Sequence, residues 1–404
     1  MPTSHNPVSE ISMPETHLYP INSPVIIARA FTILLALFIS GCSLFISKEA
    51  GIGKAVDWDD LPGWHQDNLA DAWPALISQC TKLADKQLTW KPICSEAAGL
   101  DNPTDSQTRE FILRHFQPHE IIGTGGSPDG LITGYYEPTL FGSLQADEHY
   151  AYPIYRRPES LLVVELGDLY PSLKGKRVRG RLVGNKVIAY YDRAAIDGDE
   201  KPLKGHELLW INDPYDSFFL QIQGSGRVQL PDGTIINVGY ADQNGHQYAS
   251  IGKKLIEMGE LTRDEVSLFT IREWLVQHPQ QAIDLLNLNP SYVFFHINDN
   301  NEHGPRGSLN VPLTAERSAA VDRTVIPLGT PIWLSTSLPA IDGSISDEKS
   351  PLYQRLLFAQ DTGGAINGPV RADVFFGNGN RAERLAGLMK QPGRLFALLP
   401  KAKP

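Results

Sequence analysis

Two aspartates near the C-terminus stand twelve positions apart across a glycine turn. Asp361 lies in Gln360-Asp361-Thr362-Gly363-Gly364-Ala365-Ile366 and Asp373 in Arg371-Ala372-Asp373-Val374-Phe375-Phe376-Gly377. Each sits beside a strand-like run, so the turn can bring both carboxylates to one end of a sheet. Convergent carboxylates are the equipment of acid-base catalysis, in which one group is kept protonated until it gives its proton up. A third acid, Asp322, opens Asp322-Arg323-Thr324-Val325-Ile326-Pro327-Leu328-Gly329-Thr330. Acids next to such turns also brace them through local hydrogen bonds, and that role stays open for all three.

A second constellation mixes aromatics with amides. Gly134-Tyr135-Tyr136-Glu137-Pro138 joins Phe218, Phe219, Gln221, Gln223 and Tyr240. Sugar rings present an apolar face and hydroxyl edges, which aromatics and amides match; the alternative is that the aromatics are core and the amides face solvent. Gly224-Ser225-Gly226 lacks the further glycine and helix of a dinucleotide loop, and reads as a strand end kept bare for a ligand. Ser250-Ile251-Gly252-Lys253 has the Ser-x-x-Lys spacing of an activated serine, but its partner motifs are absent and Ser250 reads as a helix start. The 11 histidines are scattered without metal-ligand spacing, and Asp213-Pro214-Tyr215-Asp216 is more typical of a turn than of a calcium loop. A formal charge of −10 argues against nucleic acid, whose binding draws on lysine and arginine.

The elements that must position these residues change in texture along the chain. Leu69, Trp73, Ile77, Cys80 and Leu83 recur at helical spacing, with Pro74 marking a kink or restart. Thr104-Asp105-Ser106-Gln107 has capping-box spacing ahead of Phe111, Ile112, His115 and Phe116. Short strand-like runs follow: 131–136, 152–155, 161–165, 187–191, 208–211, 218–223 and 227–230, which suggest an antiparallel barrel or sandwich. Helices are expected over 250–258, from the Thr262-Arg263-Asp264-Glu265 box to Pro279, and over 282–286, before a strand at 292–297. The last hundred residues return to strands at 311–313, 321–326, 331–334, 356–359, 374–376 and 395–399, interrupted by one helix around 381–390.

The apolar run from Ala30 through Ser40 follows Arg29 and ends in Ile39-Ser40-Gly41-Cys42. It is too short to span a bilayer and reads as a signal-peptide core. Small residues before a cysteine resemble a bacterial lipobox, which implies cleavage before Cys42 and acylation of that cysteine. Ser43, where no aspartate follows, resembles the outer-membrane sorting choice. Two cysteines remain, Cys80 and Cys94. An oxidising compartment permits a bridge between them; two buried thiols are the alternative.

Taken in order, Gly134-Tyr135-Tyr136-Glu137-Pro138, Gln221-Ile222-Gln223-Gly224-Ser225-Gly226, Tyr240-Ala241-Asp242-Gln243-Asn244-Gly245-His246, Asn289-Pro290-Ser291-Tyr292-Val293-Phe294-Phe295 and the Asp322, Asp361, Asp373 set resemble the membrane-bound lytic murein transglycosylase A family. The resemblance runs from about residue 60 to the C-terminus. It implies a mainly β fold with peripheral helices: a double-psi β-barrel domain carrying the three aspartates (61–137 and 302–404) and an inserted β-barrel domain with helices (138–301). Ahead of these it implies a signal peptide (1–41) and a lipidated tether (42–60).

The resemblance implies cleavage of the β-1,4 bond between N-acetylmuramic acid and N-acetylglucosamine in peptidoglycan, with formation of a 1,6-anhydro sugar. Asp373 falls on the catalytic position, as acid and then base, and Asp361 on its supporting neighbour. Tyr135, Tyr136, Gln221, Gln223, Gly224, Ser225 and Asp322 are the expected substrate contacts. One departure is Glu137, where some members carry threonine. No cofactor or metal is implied. The expected partners are peptidoglycan glycan strands, outer-membrane lipid through Cys42, and cell-wall synthase complexes, for a lipoprotein facing the periplasm. Two other classes stay open: a two-carboxylate glycoside hydrolase, and a non-catalytic glycan-binding scaffold.

Overall fold

The structure is a computed structural model that describes residues 49–174, 176, 178–298, 304–340 and 350–401. Cys42 and the leader therefore lie outside the described residues. The described residues belong to one compact unit, Lys48–Pro404.

The N-terminal part runs β1 (Gly51–Ala55), α1 (Trp73–Lys86), α2 (Trp90–Ala97), α3 (Asp105–His115), β2 (Phe116–Ile122) and β3 (Asp129–Glu137). The middle runs β4 (Thr139–Ser143), β5 (Tyr152–Tyr155), β6 (Leu162–Val164), β7 (Val178–Val183), β8 (Lys186–Ile188), α4 (Arg193–Asp197), β9 (Glu207–Ile211), α5 (Pro214–Gln223), β10 (Ser225–Gln229) and β11 (Ile235–Gln243). It ends in α6 (Ile251–Met258), α7 (Leu268–Gln277), α8 (Pro279–Asn287) and β12 (Val293–Ile297). The last part is β13 (Ser318–Val321), β14 (Pro331–Ser337), β15 (Leu352–Asp361), β16 (Arg371–Asn378), α9 (Asn380–Leu388) and β17 (Lys390–Pro400).

These strands form an eight-stranded mixed sheet in the order β1-β2-β17-β14-β15-β13-β16-β3, a six-stranded sheet β12-β11-β10-β4-β9-β5 and a three-stranded sheet β6-β7-β8. In the large sheet β3 pairs in parallel with β16 and antiparallel with β17. Its central strands are buried on both faces. Ile332, Leu334, Leu357, Ala359, Leu395 and Ala397 enter one core. The alternate residues Trp333, Leu356, Phe358, Phe396 and Leu398 pack under the helices α1 to α3. Strands buried on both sides read as continuous apolar runs, which is why these were visible in the sequence.

The helical block is locked to this sheet by a buried ion cluster. Asp67 takes two hydrogen bonds from Arg317, at 2.7 and 2.9 Å, one from Arg355 at 2.8 Å and one from the Leu356 N–H at 2.9 Å. Burial raises the Asp67 carboxyl, yet Arg317 and the other donors outweigh it and hold the group below its usual value. Cys80 and Cys94 are bridged, with Cα atoms 5.4 Å apart, joining α1 to α2.

Several elements differ from expectation, each for a local reason. The run 218–223 lies in the helix α5, not a strand: Asp213 caps its start, Pro214 takes the first turn, and Gly224 at φ +81° ends it. Phe116 leaves the α3 stripe to begin β2. The strand expected at 321–326 ends at Val321, because Asp322 accepts from the Thr324 N–H and hydroxyl and folds the chain into a turn. Val311–Leu313 contributes only an isolated bridge, Arg306 to Pro312. The Thr262–Glu265 box forms, but α7 starts five residues later behind its own Ser267–Thr270 box. Residues 51–55, expected within the tether, form an edge strand on β2.

Candidate active site

Asp361 and Asp373 do not pair with each other; β13 lies between them. Ala320 of β13 opposes Asp361 on one side and Asp373 on the other. The two backbones are thus two strand spacings apart, roughly 10 Å. On the β15 side the register slips between Ala319 and Ala320, a bulge that re-aims Asp361 toward Tyr135. On the outer side of β16, Asp373 faces Thr133 of β3 in parallel register.

Both carboxylates line a cleft of about 1150 Å³. Its walls come from β3, the bend after β13, the glycine turn after β15, the end of α5 with Gly224-Ser225, and the segments around Asn289 and Ser308. Such concave, mixed surfaces suit a ligand that buries much of its area.

The two acids are held very differently. Asp361 accepts four strong hydrogen bonds: the Tyr135 hydroxyl at 2.9 Å, the Ser308 N–H and hydroxyl at 2.9 Å each, and the Thr362 N–H at 2.8 Å. Gly307 lets that loop close in, since a Cβ there would stand 2.5 Å from the Gln360 carbonyl oxygen. Among the described residues, Asp373 accepts one side-chain hydrogen bond, from the Thr133 hydroxyl to its Oδ1. Loss of hydration is the largest influence on both and raises both pKa values. For Asp373, Arg371 and the Thr133 hydroxyl oppose the rise and the charge of Asp361 adds to it. The link between the two aspartates is thus electrostatic, with burial doing more than the neighbour.

Residues 131–296 match the family described as the MltA specific insert domain, and residues 317–399 match the 3D domain family. The chain is 32% identical to a solved membrane-bound lytic murein transglycosylase from Agrobacterium tumefaciens, with a TM-score of 0.76, over 87% of this chain and 98% of that one. The chain belongs to the membrane-bound lytic murein transglycosylase A family. Escherichia coli (strain K12) membrane-bound lytic murein transglycosylase A is 34% identical over 66% of this chain, which spans 64% of that relative's length. A solved structure of E. coli MltA with bound chitohexaose is 27% identical, with a TM-score of 0.62, over 83% of this chain and 90% of that one.

The other residues expected at a transglycosylase A site fall into two groups. Tyr135, Gln221, Gln223, Gly224, Ser225 and Asp322 line the cleft with the two aspartates. Tyr136 does not: it alternates to the opposite face of β3, enters the core, and donates its hydroxyl to Glu383 at 3.1 Å. The Gln221 Oε1 accepts from the buried Arg193 at 2.8 Å and the Gln223 Oε1 accepts from the Tyr136 N–H at 3.0 Å. The Gln221 Oε1 also accepts from the Val293 N–H at 3.3 Å, so Gln221 offers the cleft its amide N–H donors, while Gln223 offers its N–H donors and one oxygen lone pair. Asp322 gives its second oxygen to the Gly368 N–H at 2.8 Å, and these turn bonds hold its pKa down against burial.

Sequence reading missed Thr133, Ser308 and Arg193. Thr133 and Ser308 meet the aspartates through contacts more than 50 residues apart in the chain. Ser250, in contrast, is confirmed as a helix start, its hydroxyl accepting from the Lys253 N–H at 3.2 Å.

Proposed function

We propose that this chain is a peptidoglycan lytic transglycosylase, a carbon-oxygen lyase that cleaves the β-1,4 bond between N-acetylmuramic acid and N-acetylglucosamine. The observation that carries the reading is the unequal pair: Asp373 faces the cleft with its pKa raised, while Asp361 is committed to four hydrogen bonds. A hydrolase needs a second carboxylate to attack or to activate water. Asp361, tied on both oxygens, is poorly placed for either task.

Asp373 Oδ1 accepts from Thr133, so the proton of the acid form sits on Oδ2. That proton passes to the glycosidic oxygen as the bond to C1 breaks, and the bonding pair leaves with the oxygen. The Asp373 carboxylate then takes the proton of the muramoyl C6 hydroxyl while that oxygen bonds to C1. The product carries a 1,6-anhydro ring, Asp373 is protonated again, and no water is consumed. Tyr135 and Asp361 fix the charge beside Asp373, and the Gln221 and Gln223 amides with the Gly224-Ser225 backbone take the sugar substituents.

The pairing of β3 with both β16 and β17 supports a double-psi β-barrel for 61–137 with 302–404, and the six-stranded sheet supports an inserted barrel domain for 138–301. Acylation at Cys42, after a signal peptide of 1–41, would place the chain on the outer membrane facing the periplasm, where cell-wall synthase complexes are candidate partners. The name of the E. coli relative, membrane-bound, supports attachment. No helix of the described residues is long and apolar enough to cross a membrane. Asp373→Asn tests the assignment on purified peptidoglycan. Release of anhydro-muropeptides is expected to disappear while glycan binding persists; turnover near that of the unaltered chain would overturn it.

A further inference from the structure

The lining of the cleft carries more cationic than anionic side chains, in contrast to the chain that builds it. Among the described residues, six lysines and arginines line it against three aspartates and no glutamate, in a chain of formal net charge −10; of the six, Arg179 is paired with Asp242 and Arg193 with Asp197 behind the lining. Glycan alone is neutral and gives no reason for such a lining.

Two of these cations, Arg371 and Arg323, lie next to Asp373 in the sheet register. Arg371 precedes it by two residues on β16, so the two side chains leave the same face about 7 Å apart. The antiparallel register of β13 and β16, with Val321 opposite Ala372, brings the Asp322-Arg323 turn beside Arg371. Both arginines line the cleft. Arg371 Nη1 donates to the Ala372 carbonyl at 2.7 Å and to the Leu131 carbonyl at 3.3 Å, which anchors one edge of the guanidinium to the sheet. Asp322 has its oxygens on Thr324 and Gly368.

We propose that Arg371, with Arg323 beside it, forms a carboxylate subsite that takes the acidic substituent of the muramoyl unit whose glycosidic bond faces Asp373. The inference rests on the transglycosylase reading and adds the feature of the substrate that is read. A guanidinium recognises a carboxylate through paired N–H donors, and a preanchored one loses little freedom in doing so. Peptidoglycan offers the carboxylate from two sources: the lactyl group of a strand stripped of peptide, or the acids of an intact stem. An N-acetylglucosamine oligomer has neither. Arg371 also opposes protonation of Asp373, whose other neighbours are Thr133 of β3 and Asp361 of β15 with its Tyr135 hydroxyl. A carboxylate on Arg371 offsets that opposition, so correct substrate favours the acid form the reaction needs.

The test uses the full chain with three ligands: peptidoglycan strands with stems, amidase-stripped strands, and chitohexaose. Dissociation constants and turnover are measured for the unaltered protein, Arg371→Gln and Arg371→Lys. Arg371→Gln is expected to weaken binding of carboxylate-bearing strands by about tenfold or more and to leave chitohexaose unchanged, with partial recovery in Arg371→Lys. Loss confined to stemmed strands assigns the acids of the stem as the source, loss confined to stripped strands assigns the lactyl carboxylate, and loss for both means that the subsite takes either acid. Equal weakening for all three ligands, or none for any, overturns the subsite. Absence of anhydro products from the unaltered chain would instead sink the transglycosylase reading, and the binding comparison stands apart from it.

Discussion

Replacing Thr133 with valine removes one hydroxyl and leaves a side chain of similar shape on β3. In the structure that hydroxyl donates to Asp373 Oδ1 across a parallel strand pair. A hydrogen bond to a charged acceptor contributes about 1.5–3 kcal/mol. The bond is stronger to the carboxylate than to the acid, so it lowers the barrier as the proton leaves Asp373. Losing it slows turnover roughly 10- to 150-fold at about 1.4 kcal/mol per decade. The pH profile carries the sign. Thr133 pulls the Asp373 pKa down, so its removal raises that pKa further. Activity that needs the protonated acid then persists to higher pH, and the alkaline limb moves up. The assay is initial release of anhydro ends from purified peptidoglycan across pH, with thermal unfolding as a control for fold. An unchanged rate with an unmoved limb, or a limb displaced downward, would refute the role given to Thr133.

Two further outcomes concern the scaffold. Asp67→Ala leaves the buried Arg317 guanidinium uncompensated and is expected to cost about 3–5 kcal/mol in denaturant unfolding; a loss below about 1 kcal/mol contradicts the locking role. Because its folded pKa is depressed, Asp67 contributes stability that is present above about 3.9 and lost as pH falls through the folded value, so the gap between Asp67→Ala and the unaltered chain should narrow in strong acid. Cys80→Ser with Cys94→Ser removes a bridge over 14 positions, worth about 3 kcal/mol by chain entropy. Neither cysteine lines the cleft, so turnover at low temperature should be unaffected; a matching loss of turnover would mean that the helical block shapes the site.

The sequence already displayed the strands that carry Asp361 at the end of β15 and Asp373 near the start of β16, because runs buried on both faces are apolar throughout. It did not display β13 between them. Ser318–Val321 is short and small, and its neighbour Asp322 turns the chain sooner than the β-branched Val325-Ile326 suggests. The run 218–223 looked like a strand because Leu220 and Ile222 alternate with Gln221 and Gln223 after two aromatics, although its helix signals, Asp213 with Pro214 before and Gly224 after, were present. Tyr135 and Tyr136 were legible as a pair, but which of them faces the cleft depends on strand parity fixed by β16. Thr133 and Ser308 had no local signal: each matters through a partner brought to it by the sheet.

Digestion of purified peptidoglycan in water enriched in heavy oxygen, followed by mass analysis of the released ends, tests the central claim most directly. Attack by the muramoyl C6 hydroxyl, with Asp373 as acid and then base, predicts anhydro ends one water lighter than reducing ends and free of solvent oxygen. Reducing ends that carry the label would contradict it and make this chain a hydrolase.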